Sequence, residues 1–244
     1  MADFINTVDV LGDAVVTDSI IDKSITEFKD NNIRAVGTNA FYNCSSLTTV
    51  SFPACTSVGS LAFYNCSSLT TVSFPACTSV GNYAFYCCSS LTTVSFPACT
   101  SVASFAFYKC SSLSQANFPA CRDISASAFY NCSSLSQANF PACRNIGGSA
   151  FASCSSLTTV SFPACTRISA YAFYNCSSLS ALVLAGSVRC SLDNSATFSG
   201  TPIASGTGYV YVPASLVASY QEYGRWSYFS TRISAIEDSE FYEE

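Results

Sequence analysis

Thiols are the side chains with the widest chemical reach in this chain, which holds 15 cysteines and no histidine. Thirteen of them, Cys44, Cys55, Cys66, Cys77, Cys88, Cys99, Cys110, Cys121, Cys132, Cys143, Cys154, Cys165 and Cys176, recur at intervals of 11 residues. Thiolates ligate metals, exchange disulfides and act as nucleophiles. The spacing argues against each use. There is no C-x-x-C pair and no histidine to complete a zinc set. Side chains that project in parallel from one column rarely reach disulfide geometry. The ladder therefore reads as small buried apolar residues. Cys87 and Cys190 lie off it and are expected to be exposed, and so to react first with a soluble maleimide. Acid–base chemistry fares no better: between residues 40 and 181 Asp123 is the single carboxylate. No glycine-rich phosphate cradle or nucleophile motif is present, so we expect no catalysis, no cofactor and no metal.

Hydrogen-bonding groups form a second repeating set. Thr49 and Ser51 return as Thr71 and Ser73, then as Thr93 and Ser95. They become Gln115 and Asn117, then Gln137 and Asn139, before reverting to Thr159 and Ser161. Amides both donate and accept, so this set is the candidate ligand-binding surface. The competing reading is that the amides bond to one another from rung to rung. Arg122 and Arg144 occupy matching offsets, with Arg167 one position later. Like charges on adjacent rungs repel, which makes these three a possible anion contact unless Asp123 neutralises them or solvent screens them. Tyr42, Tyr64, Tyr86, Tyr108, Tyr130 and Tyr174 make a further column, broken by Ala152. It serves either for stacking on a ligand or for half-buried packing.

The elements that place these residues follow from a 22-residue unit, AFYNCSSLTTVSFPACTSVGSL at 40–61, which restarts at Ala62, Ala84, Ala106, Ala128, Ala150 and Ala172. A period in the twenties with fixed apolar offsets marks a stacked solenoid. Val50 and Phe52 alternate with Thr49 and Ser51, as in a short strand with one buried face. Pro53 and its equivalents stop that strand. The steps among Val58, Ala62, Phe63 and Cys66 predict one or two helical turns in an otherwise irregular return. Stacking then makes a parallel ladder of strands about 4.8 Å apart. Ile25, Phe28, Ile33 and Val36 match Leu47, Val50, Cys55 and Val58, which makes the first repeat degenerate.

The pattern L-x-x-V-x-F-P-x-C-x-x-V-G-x-x-A-F-x-x-C-x-x-L, spanning about 25–184, resembles the BspA-like, or Treponema-type, leucine-rich repeats of bacterial surface proteins. The resemblance implies a curved α/β solenoid with a parallel β-sheet on one face, short helical or irregular convex crossings, and caps at both ends. It implies adhesion or binding to a protein or glycan on a cell surface, and no catalytic residues. The segment GTPIASGTGYVYVP at 200–213 is similar to closing segments of such repeats, including phage-encoded ones. That keeps open an alternative, a phage or prophage tail-associated or self-assembling structural protein.

The expected divisions are an N-terminal cap at 1–24, the repeat solenoid at 25–184 and a C-terminal cap at 185–244. Charge supports them. Residues 1–39 carry seven acids and three bases, 40–181 one acid and four bases, and 182–244 seven acids and three bases. No basic stripe suits nucleic acid, and no apolar run is long enough to cross a membrane. The start lacks the basic and apolar pattern of a signal peptide. Location is thus left open between a bacterial surface, as the resemblance implies, and a virion.

Overall fold

The computed structural model describes residues 14–16 and 23–241; most of the expected N-terminal cap lies outside them. Each 22-residue coil contributes two short strands. The first set, β2 (Glu27–Lys29), β4 (Thr49–Ser51), β6 (Thr71–Ser73), β8 (Thr93–Ser95), β10 (Gln115–Asn117), β12 (Gln137–Asn139), β14 (Thr159–Ser161) and β16 (Ala181–Val183), forms the front of the solenoid. The second set, β3 (Ile33–Val36), β5 (Ser57–Val58), β7 (Ser79–Val80), β9 (Ser101–Val102), β11 (Asp123–Ile124), β13 (Asn145–Ile146), β15 (Arg167–Ile168) and β17 (Ser191–Leu192), forms the back. β1 (Ala14–Val16) joins the end of the back sheet beside β3.

All pairing is parallel, and equal positions of successive coils face one another, as Val50 faces Val72 and Val58 faces Val80. The degenerate first repeat keeps this register, with Phe28 opposite Val50 and Val36 opposite Val58. Strand polarity explains the core. Leu47, Val50, Phe52, Cys55 and Phe63 are buried between the sheets, and the phenylalanines stack from Phe41 to Phe198 at 4.8–5.9 Å with nearly parallel rings. Stacking completes what one coil alone leaves exposed.

The return path corrects the expectation of helical turns. Leu61 and Asn65 take positive φ (58° each), and their equivalents in other coils do the same. Left-handed residues at four-residue spacing break a right-handed helix, and the chain turns by successive bends. These bends are laddered too: the Phe41 N–H donates to the Ala62 carbonyl at 2.7 Å, and Phe63 to Ala84 at 2.7 Å. The second strand, Ser57–Val58, is the element that sequence periodicity missed.

The front sheet is interrupted where the back sheet is not. β2, β4 and β6 form one sheet, while β8 begins another that runs through β10, β12, β14 and β16 to β18 (Tyr209–Val212) and β19 (Ile233–Ala235). Across the gap the Thr92 amide reaches the Thr70 carbonyl at 3.5 Å, against 2.9 Å for Thr70 to Thr48. Between β12 and β14 the pairing shrinks to Asn139 opposite Ser161. Val72 and Ala138, at these two junctions, are only partly buried. The hexapeptide LTTVSF stands on both sides of the first junction, so the strand's own residues do not set it.

The last coil is closed by 202–238. α1 (Pro202–Ser205) is capped by the Thr201 hydroxyl, which accepts from the Ala204 amide, and α2 (Val217–Glu222) brings in Tyr220. Tyr220 and Trp226 are buried and grip the backbone of Cys190: its N–H donates to Tyr220 Oη at 2.7 Å, and its carbonyl accepts from Trp226 Nε1 at 2.7 Å. Cys190 is therefore fully buried, not exposed as its off-ladder position predicted. Cys87 is half-buried.

Candidate recognition face

The front strands present three polar rows, and each treats its hydrogen bonds differently. In the row just before the strands, Thr48, Thr70, Ser114 and Ser136 turn their hydroxyls back onto the carbonyl of the preceding coil at 2.8–3.3 Å. That row is internally satisfied. In the row of Ser51, Ser73, Ser95, Asn117, Asn139 and Ser161 the amides ladder: Asn139 Nδ2 donates to Asn117 Oδ1 at 2.6 Å, and Asn117 Nδ2 to Ser95 Oγ at 3.2 Å. The row between them, Thr49, Thr71, Thr93, Gln115, Gln137 and Thr159, is the most open, although Thr71 Oγ1 meets Thr70 Oγ1 at 3.5 Å. Gln115 and Gln137 are exposed and make no side-chain hydrogen bond among the described residues.

Gln115 faces Gln137 in register on one side and Thr93 on the other. A shallow groove of about 450 Å³ runs over β8, β10 and β12, lined by Thr93, Ser95, Gln115, Asn117, Gln137 and Asn139, with Val94 and Ala116 at its floor. Ala116 and Ala138 take the place that valine holds in β4, β6, β8 and β14. The groove is thus built where the outward residues are largest and the inward ones smallest. Chemically it offers uncharged donors and acceptors, the groups that match peptide amides or sugar hydroxyls.

The same rows continue into residues that the repeat pattern did not reach. Ala181 faces Tyr209, and Val183 faces Tyr211. Tyr211 packs on Phe241 at 5.1 Å, and the Arg232 guanidinium lies 5.5 Å from the Tyr209 ring. The alternation Tyr209-Val210-Tyr211-Val212 marked a strand; that it extends the front sheet was visible only once the strand was paired.

On the back sheet the arginines separate. Arg122 and Arg144 are exposed and make no ion pair among the described residues. Arg167 is engaged instead by Asp193, with Nε 3.0 Å from Oδ2 and Nη2 2.8 Å from the same oxygen. It is therefore not free to meet an anion in company with the other two. Asp123 makes no ion pair with either among the described residues; its Oδ1 accepts from Asn145 Nδ2 at 2.6 Å. The tyrosine column spends its ring faces on itself, from Tyr42 to Tyr130 at 4.7–4.9 Å, leaving ring edges and hydroxyls at the surface.

The ladder thiols do structural work. Cys66, Cys88 and Cys132 donate to the carbonyls of Phe41, Phe63 and Phe107 at 3.0–3.1 Å, while Cys55, Cys77 and Cys99 donate to the carbonyl two residues on at 3.1 Å. A small apolar side chain with a weak donor suits these sites. Burial pushes the Cys66, Cys77 and Cys121 thiols up to about 12, so they stay protonated and inert near neutrality. Among the described residues no group of three or more cysteine, aspartate or glutamate side chains is placed to hold a metal, and no helix is long and apolar enough to cross a membrane.

The model of the BspA type leucine-rich repeat region matches residues 21–122 and 78–205, in six copies. No curated protein matches the chain. Solved structures with a similar course include a leucine-rich repeat protein from Bacteroides ovatus, 19% identical, covering 87% of this chain and 84% of that one with a TM-score of 0.42. A leucine-rich cell surface protein from Faecalibacterium prausnitzii is 17% identical, with 85% and 82% covered and a TM-score of 0.38. The leucine-rich repeat protein of T. pallidum is 24% identical, with 52% and 72% covered and a TM-score of 0.39.

Proposed function

Because the chain belongs to the BspA-type leucine-rich repeat family, we propose that this repeat protein acts by recognising a protein or glycan of a cell surface through the front sheet. One observation carries the choice of face. Of the three polar rows, the row holding Gln115 and Gln137 keeps its amides unpartnered among the described residues, and these two residues stand over the groove. A ligand laid along β8, β10 and β12 meets donors and acceptors spaced about 4.8 Å apart, the rung distance of a parallel sheet. Uncharged amides recognise by geometry, so binding through them depends weakly on salt. The tyrosine column is the poorer surface, since its ring faces are already stacked.

The test is a screen of the full chain against intact bacterial and epithelial cells and a glycan array, run beside a Gln115→Ala, Gln137→Ala variant. Binding that the double substitution reduces at least about tenfold supports the reading, since one unmade amide hydrogen bond in a site is worth about 1 kcal/mol or more. Binding that survives it unchanged moves recognition off this face. Virion association or concentration-dependent fibres would favour the structural alternative.

A further inference from the structure

We propose that Cys165 and Cys190 are a disulfide-forming pair that fastens the C-terminal segment to the last full repeat, oxidised by exchange with a low-molecular-weight disulfide such as oxidised glutathione. Their sulfurs lie 3.1 Å apart, and both side chains are buried.

Geometry sets this pair off from the rest of its ladder. Cys55, Cys77 and Cys99 hold their thiols on the carbonyl two residues on at 3.1 Å; the distance lengthens to 3.4 Å at Cys121, 3.5 Å at Cys143 and 3.6 Å at Cys165. At the end of that trend Cys165, unlike Cys121 and Cys143, has a further partner, the Cys190 sulfur at 3.1 Å. The reason lies in the chain count. Coils advance by 22 residues, as Asn145 pairs with Arg167, but the last step pairs Arg167 with Ser191, a step of 24. Cys190 therefore falls one place away from the residue that faces Cys165. In-register side chains of a parallel ladder run side by side and do not converge; a diagonal pair points its two sulfurs at one another.

The exchange balances as two steps. One thiolate attacks the small disulfide and releases one small thiol. The second thiolate then attacks the mixed disulfide and releases the other, leaving one protein S–S bond and two small thiols: the protein pair is oxidised by two electrons, and the small disulfide takes up those electrons and the two protons. The hydrogen bond with the Cys165 thiol, together with burial, raises the Cys190 thiol well above its ordinary value, so attack waits on opening of the segment that covers it. Once made, the bond ties the rung of β15 to Cys190, whose N–H and carbonyl already hold Tyr220 and Trp226. The C-terminal closure then becomes covalent under oxidising conditions and reversible under reducing ones.

To test this, the reduced full chain is incubated with oxidised glutathione a few degrees below its melting temperature. It is then digested without reduction and mapped by mass spectrometry. We expect one dominant link, Cys165–Cys190, absent from a Cys190→Ser variant and kept in a Cys143→Ala variant. In the linked protein, amide exchange at Val210 and Val212 should slow at least about tenfold, because local opening of the closure is tied down. Glutathione adducts on half-exposed Cys87 differ in mass and do not count. Links spread over in-register pairs such as Cys143–Cys165, no Cys165 link at all, or a dominant link that leaves exchange at Val210 unchanged would each overturn the proposal.

Discussion

Front and back strands belong to the same coils, yet they keep their pairing very differently. The back sheet runs unbroken over nine strands, and its spacing is set by contact between backbones. A side chain at Gly59, Gly81 or Gly147 would lie 2.6–2.8 Å from main-chain atoms of the preceding coil. There the amide reaches the carbonyl below it at 2.7–2.8 Å; where Ala103, Ser125 or Ser169 stands instead, the distance is 2.9–3.2 Å. The front sheet is split between β6 and β8 and thinned between β12 and β14. Its outward residues change from hydroxyl to amide and its inward ones from valine to alanine. One side of the coil thus holds the pitch even as its outward residue changes from Ser101 to Asp123, Asn145 and Arg167, and the other is released from that duty. In a solenoid each coil is supported by its neighbours alone, so a face relieved of spacing duty is where a recognition surface costs least.

The largest effect should come from pH, because the thiol ladders are buried in the core along the whole solenoid. Cys66, Cys77, Cys121 and Cys176 are held up to about 12 by burial, above the ordinary value of 9.0. A raised thiol value leaves stability intact below pH 9 and removes it above, as the unfolded chain ionises and the folded one does not. At pH 10 each such group withdraws about 1.4 kcal/mol, so these four alone remove roughly 5–6 kcal/mol. Melting temperature should hold from pH 7 to 9 and fall steeply beyond. A flat profile to pH 10.5 would contradict the buried ladders.

Next come two substitutions that separate core from pitch. Leu113→Ala, at a fully buried position under the amide-bearing strands, should cost about 2–5 kcal/mol in chemical denaturation. Gly147→Val should cost about 1–3 kcal/mol, since its side chain meets Ser125 and Ala126 backbone at 2.6–2.7 Å. If Gly147→Val proves neutral, the back sheet does not set the pitch. Smallest is Cys87→Asn. Cys87 takes a φ of 57°, where Asn43, Asn65, Asn131 and Asn175 stand in other coils, so the change should stabilise by a few tenths of a kcal/mol, asparagine being the residue that best accepts this conformation. A loss above about 1 kcal/mol would mean that the thiol has a packing role.

Much of this was legible in the sequence, for identifiable reasons. A strict 22-residue period carries register directly, so Phe28 opposite Val50 and the inward pairing of Val50 with Phe52 follow from counting. The second strand was not legible, because two residues, Ser57 and Val58, are too few for alternation to show. Left-handed residues as unlike as Leu61, Tyr83 and Cys87 carry no common side-chain signal, so the bends read as helical turns. For the candidate site, the switch from Thr and Ser to Gln and Asn was plain. Which amides bond to one another was not, since that depends on which of two adjacent outward rows brings them into contact. Cys190 misled because the step of 24 residues hides its place beside Cys165.

Recognition through the front face is reached most directly by a paired measurement. Binding to one cell type that retains the wild-type chain is compared for Gln115→Ala, Gln137→Ala on the front and Arg122→Ala, Arg144→Ala on the back, all at equal melting temperature. We predict that the front variant loses at least about tenfold in affinity while the back variant keeps it. Loss confined to the arginine variant would place recognition on the back sheet and contradict the account.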